Sequence, residues 1–237
     1  MSTSLAVLAA SMTFGGLAQA DTFASIAPSL VPNRLHARAA LTFTIHFGGG
    51  ELGVPAPVRR AVLHLPADLT LNIPQLRICN PTRLQVFGPD GCPARSLIGH
   101  GYALVEGELG TETVTEHVSM LAFLGPPRNL QPTFVIFVQG YRPISAQMVL
   151  PATSLADSPP YGEDLVMEVP PISTVPTEPD ASVITFSLTI GRPHSGRFAP
   201  TVVPPAHCPP GGLPFAAEFT YADGSTGRAL TTSPCPK

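Results

Sequence analysis

Tryptophan is absent from this chain, and only 12% of its residues are charged, about half the usual share. Each shortage excludes something. Sugar recognition leans on aromatic platforms that stack on the rings, and a chain with no Trp and four Tyr is poorly equipped for it. Nucleic-acid binding needs a basic footprint, whereas 13 Lys and Arg against 16 Asp and Glu leave a net charge of −3. Disorder needs low hydrophobicity and high charge, and here 44% of residues are hydrophobic. Beyond the N-terminus no apolar run approaches the roughly 18 residues of a membrane helix, so no span is expected in the mature chain. Cysteine is scarce too, with four in 237 residues.

What the chain has in quantity is proline, 29, and glycine, 21. Proline removes a backbone donor and glycine loosens a helix, so long helices are excluded. Residues 1–20 read as a secretory signal: an apolar core from Leu5 to Phe14, a Gly15-Gly16 break, then Ala18-Gln19-Ala20 in the small-x-small form of a cleavage site. The mature chain is expected to begin at Asp21.

Strand signals dominate the remainder. Leu41, Phe43, Ile45 and Phe47 alternate with Thr42, Thr44 and His46, the period of a half-buried strand. Ala61, Leu63 and Leu65 alternate likewise with Arg60, Val62 and His64. Residues 111–124 divide between a helical stripe (Val114, Val118, Leu121) and a β-branched strand; the β-branched content favours the strand. Residues 133–139, TFVIFVQ, are apolar on both faces, as in a strand covered on both sides, and 144–150 is a candidate partner. Seven prolines between 151 and 180 argue against helix and central strand alike, apart from 165–169. Ile184, Phe186, Leu188 and Ile190 form the inward row of a further strand. Near the C-terminus, Phe215, Ala217, Phe219 and Tyr221 alternate up to an Asp223-Gly224 turn, a hairpin signal.

Many short strands between turns predict an all-β fold, an antiparallel β-sandwich of immunoglobulin-like or related type with long proline-rich connections. The expected domain spans 21–237. The alternative is two β units, 21–150 and 181–237, joined by the proline-rich 151–180.

Four cysteines in an exported chain imply two disulfides. Three connectivities are open. Cys79–Cys92 and Cys208–Cys235 are favoured because each pair brackets a predicted fold-back, the first around Pro89-Asp90-Gly91. A four-cysteine metal site would need closely paired knuckles, and the spacing has none.

There is no G-x-S-x-G elbow, no H-E-x-x-H and no phosphate-binding loop. His194-Ser195-Gly196 are adjacent in a turn-rich stretch, and adjacent residues do not build a proton relay. Gly99-His100-Gly101 starts like a dinucleotide fingerprint, but Leu104 stands where the third glycine belongs, so these glycines read as easing a strand start or bulge. Of seven histidines, His46 and His64 fall on outward faces of two early strands; if those strands pair, the two are metal-ligand candidates.

The run C-x12-C-P-x-x-S-x-x-G-x-G from Cys79 to Gly101 resembles a group of uncharacterised exported bacterial proteins. So does C-P-x-G-G-x-P-F-x-A-x-F-T-Y-A-D-G-S-T from Cys208, closed by Pro234-Cys235, as does the segment from Val169-Pro170-Pro171-Ile172 into the following strand. The resemblance implies secretion and an all-β body and carries no activity or catalytic residue with it. The expectation is a non-catalytic secreted or cell-envelope protein with a structural or binding role, no cofactor, and an extracellular or envelope partner. The alternatives are a secreted hydrolase built from scattered carboxylates and histidines, and an extracellular metal-binding protein.

Overall fold

The computed structural model describes residues 22–35, 37–50, 54–72, 76–109, 112–142, 145–172, 180–191 and 202–235. The expected leader, the Asp21 start, His36 and the His194-Ser195-Gly196 turn lie outside them.

Thirteen strands form among the described residues: β1 Phe23–Val31, β2 Ala40–Gly48, β3 Val58–Pro66, β4 Thr70–Leu71, β5 Leu97–Leu109, β6 Glu112–Arg128, β7 Gln131–Gln139, β8 Gln147–Ala156, β9 Tyr161–Glu168, β10 Ser182–Ile190, β11 Val202–Val203, β12 Leu213–Tyr221 and β13 Thr226–Ser233. Eleven join one antiparallel sheet in the order β1-β2-β10-β5-β6-β7-β8-β9-β3-β12-β13, and β4 pairs with β11 apart from it. The two edge strands, β1 and β13, pack against each other, so the sheet curls round close to a barrel. The antiparallel all-β expectation holds. The immunoglobulin-like sandwich does not emerge, because one continuous ladder takes the place of two stacked sheets. Strands from 181–237 are interleaved with earlier ones: β10 lies between β2 and β5, and β12 beside β3.

Curling puts one row of each strand inside. Leu41, Phe43, Ile45 and Phe47 of β2 point inward, as the alternation requires, and so do Ala61, Leu63 and Leu65 of β3. The hairpin β12–β13 buries Phe215, Ala217, Phe219 and Tyr221. In β5 the pairing with β6 shifts between Leu97 and Gly99, and a Cβ on Gly101 would stand 2.2 Å from the Ser187 carbonyl oxygen. Glycine there lets β10 ride close over β5.

Three local features depart from the sequence reading. Residues Pro81–Phe87 form a helix, α1, instead of part of a simple fold-back; Asn80 caps it by accepting from the backbone N–H groups of Thr82 and Arg83, Pro81 sits in its first turn, and Gly88 at φ 64° stops it. The proline-rich stretch holds two strands, because its prolines fall at permitted places. Pro151 pairs with Val135 on one side, while the ladder to β9 begins only at Ala152. Pro159 and Pro160 make the β8–β9 turn. In β10 the register shifts between Val183 and Thr185, so Val183 replaces Ile184 in the inward row.

Cys79 is bonded to Cys92 and Cys208 to Cys235. The first bridge staples α1 and the following turn onto the outside of the sheet. There Leu84 and Cys79 bury the outer faces of Phe123, Val135 and Phe137 in a small second core. This explains why β7 is apolar on both faces: one side meets the interior, the other lies under the stapled helix.

Candidate functional site

Eight strands already give a barrel whose side chains just fill it, and wider barrels enclose space. With eleven strands and small inward residues at Ala61, Ala103, Ala122, Ala152 and Ala217, this interior is not filled. A cavity of about 190 Å³ runs along the axis, walled by inward residues of β2, β3, β5–β10 and β12. Leu69, Leu71 and Val202, from the small sheet β4–β11 and its approach, close one end. Gly107, Val114, Glu116, Gly140 and Ala146 line the other.

Among the described residues lining the cavity, Glu116 is the one with an ionisable side chain. It occupies the inward row of β6, between Val114 and Val118, is 6% exposed, and its Oε1 has no hydrogen-bond partner among the described residues. The carboxylate lies over the backbone of Gly140, where an added Cβ would come within 2.4 Å of Oε1. Any larger residue at 140 would push the carboxylate out of its place. A buried acceptor without a donor is destabilising unless something supplies the donor. Glu116 was missed in reading the sequence, yet a signal was there: on a strand it is the one acid in the row Val114, Val118, Met120, Ala122.

The sequence-derived metal candidates are not brought together. β2 and β3 are not neighbours in the ladder, because β2 pairs with β1 and β10 while β3 pairs with β9 and β12. His46 faces outward, its Nδ1 3.1 Å from Thr185 Oγ1, in line with Thr42–Thr189 and Thr44–Ser187 hydroxyl pairs.

His64 has a different neighbourhood. It sits on the outer face of β3, toward the barrel end opposite Glu116. Its Nδ1 is 2.8 Å from Asp157 Oδ2 and 2.7 Å from Asp164 Oδ1. Asp164 stands directly across from it on β9, and Asp157 comes in from the β8–β9 turn. Its Nε2 faces Glu218 Oε1 at 3.8 Å, and the Tyr161 ring packs 5.1 Å from the imidazole. Burial and a hydrogen bond with Asp157 push the Asp164 carboxyl up to about 6. Burial acts on Asp157 in the same direction, but hydrogen bonds from His64 and the Ser158 backbone outweigh it and hold that carboxyl below its usual value. No spacing in the sequence announces this cluster; the β8–β9 hairpin has to form first.

No family model matches this chain, and no curated protein or solved structure does either.

Proposed function

We propose that this is a non-catalytic secreted or cell-envelope binding protein whose barrel interior holds a small apolar molecule bearing a basic nitrogen. The observation that carries the reading is Glu116: a buried carboxylate with an unpartnered oxygen in an otherwise apolar wall. Such a group is strongly unfavourable alone and becomes favourable when a ligand ammonium meets it in a low-dielectric site. The volume sets the size. Cavities near 150 Å³ accommodate benzene, so about 190 Å³ admits an aromatic or alkyl amine of that order. An empty void of this size destabilises a fold by on the order of 4 kcal/mol relative to a filled one, which favours occupancy. Two disulfides fit an oxidising compartment, and the leader-like residues 1–20 and the resemblance to exported proteins belong to the same reading.

The test is calorimetry with three molecules of one shape: benzylamine, benzyl alcohol and benzoate. Benzylamine is expected to bind at least about tenfold more tightly than benzoate, a difference of ~1.4 kcal/mol. Glu116→Gln should remove that preference while leaving benzyl alcohol nearly unchanged. No binding of any of the three, or an amine preference that survives in the Gln variant, would overturn the proposal.

A further inference from the structure

His64, Asp157 and Asp164 present one donor to two acceptors. An imidazole Nδ1 holds at most one proton, so it can satisfy only one of the two carboxylate oxygens beside it. Asp157 Oδ2 takes the hydrogen bond, and Asp164 Oδ1, buried and 2.7 Å from the same nitrogen, is left without one. A pairing that served only to pin the hairpin to β3 would be complete with one carboxylate. The second places another carboxylate 2.7 Å from the same nitrogen and beside the first, and among the described residues no arginine pairs with either acid.

We propose that His64 Nδ1, Asp157 Oδ2 and Asp164 Oδ1 bind a divalent first-row cation of the zinc class on the outer wall of the barrel. The three side chains offer ligand atoms within 4.8 Å of one another. Bonds of about 2.0–2.2 Å to nitrogen and oxygen place neighbouring donors roughly 3.0–3.4 Å apart in octahedral or tetrahedral geometry. The observed 2.7 and 2.8 Å separations therefore need to open by only a few tenths of an ångström. One imidazole and two carboxylates suit zinc or manganese and disfavour soft copper(I).

The surroundings support the ligands as outer partners of a metal site do. Asp157 is held through its other oxygen, which accepts from the Ser158 backbone N–H at 2.6 Å. Nε2 has no hydrogen-bond partner among the described residues; a metal on Nδ1 would move the ring proton to Nε2, toward Glu218, which stands 3.8 Å away and also meets Arg228 at 3.4 Å. The side chains of His64, Asp157 and Asp164 are 12%, 16% and 19% exposed, sheltered yet open enough for an ion to enter. A bound ion would tie β3 to the β8–β9 hairpin. The site is on the outer face at the other end from Glu116, so its test is independent of the cavity reading.

Titration of the full chain with zinc chloride is expected to give one site per molecule. Affinity should fall at least tenfold in Asp164→Asn and in His64→Ala, and stay unchanged in His46→Ala. Glu218→Gln should weaken binding by roughly tenfold, as outer-partner losses do. Because His64→Ala could disturb the fold, a second reading uses the intact protein with ¹⁵N-labelled histidine: zinc should shift the Nδ1 resonance of His64 and leave its Nε2 protonated. Failure of the native chain to take up zinc at millimolar concentration, undiminished uptake by Asp164→Asn, or a shift centred on another histidine would overturn the proposal.

Discussion

The Tyr221 hydroxyl shows how a single atom can tie stability to pH. It is buried, with no hydrogen-bond partner among the described residues, close over Gly227, where a Cβ would stand 2.5 Å from it. Burial first, and the charge of Asp223 second, push its pKa up to about 12. Between about pH 10, where the unfolded tyrosine ionises, and 12, the folded chain keeps a proton that the unfolded chain has released. Stability therefore falls as pH rises through that window and is untouched below it. Tyr221→Phe removes both the orphaned hydroxyl and the titration. Urea unfolding at pH 7 should show the variant equal to the native chain or up to about 1 kcal/mol more stable, and its loss of stability above pH 10 should be smaller. A loss of more than about 2 kcal/mol at pH 7 would mean the hydroxyl has a partner after all. Single residues also mark the limits of what sequence can tell. Glu116 was legible, as an acid in an apolar row of period two. Asp157 and Asp164 were not: they stand 93 and 100 positions from His64 and meet it only through strand pairing and a turn.

Among the elements, α1 has the most to reveal. Seven residues are too few to be helical alone; Pro81–Phe87 is held by the Asn80 cap, the Cys79–Cys92 bridge and the burial of Leu84 against β6 and β7. Replacing both cysteines by serine should lower stability by about 3 kcal/mol, the chain-entropy value for a loop of this size. It should also free the helix and expose Phe123, Val135 and Phe137, read as increased binding of an anilinonaphthalene dye. Unchanged stability and no dye binding would place the helix's anchorage elsewhere. The Asn80-Pro81 pair was a readable cap and first-turn signal. The two strands of the proline-rich stretch were harder to see, since what permits Pro151 is the late start of the β9 ladder, a fact of pairing that composition does not hold. The shift at Ile184 has the same character: alternation predicts its row until a bulge, invisible in the pattern, moves Val183 into it.

At the scale of the molecule, alternation announced strands at 41–47 and 215–221 and the hairpin that joins the last two, but not how they close. Closure depends on partner order, and the order here sends β3 to β9 and β12 instead of to β2. From that order come the strand number, the width, and the cavity of about 190 Å³ with Glu116 at one end. The most direct measurement is a crystal structure of the full chain grown with 4-bromobenzylamine, with data collected at the bromine edge. The account predicts an anomalous peak inside the barrel and the amine nitrogen within hydrogen-bond reach of Glu116 Oε1. Bromine confined to the outer surface, or an interior amine turned away from Glu116, would contradict it.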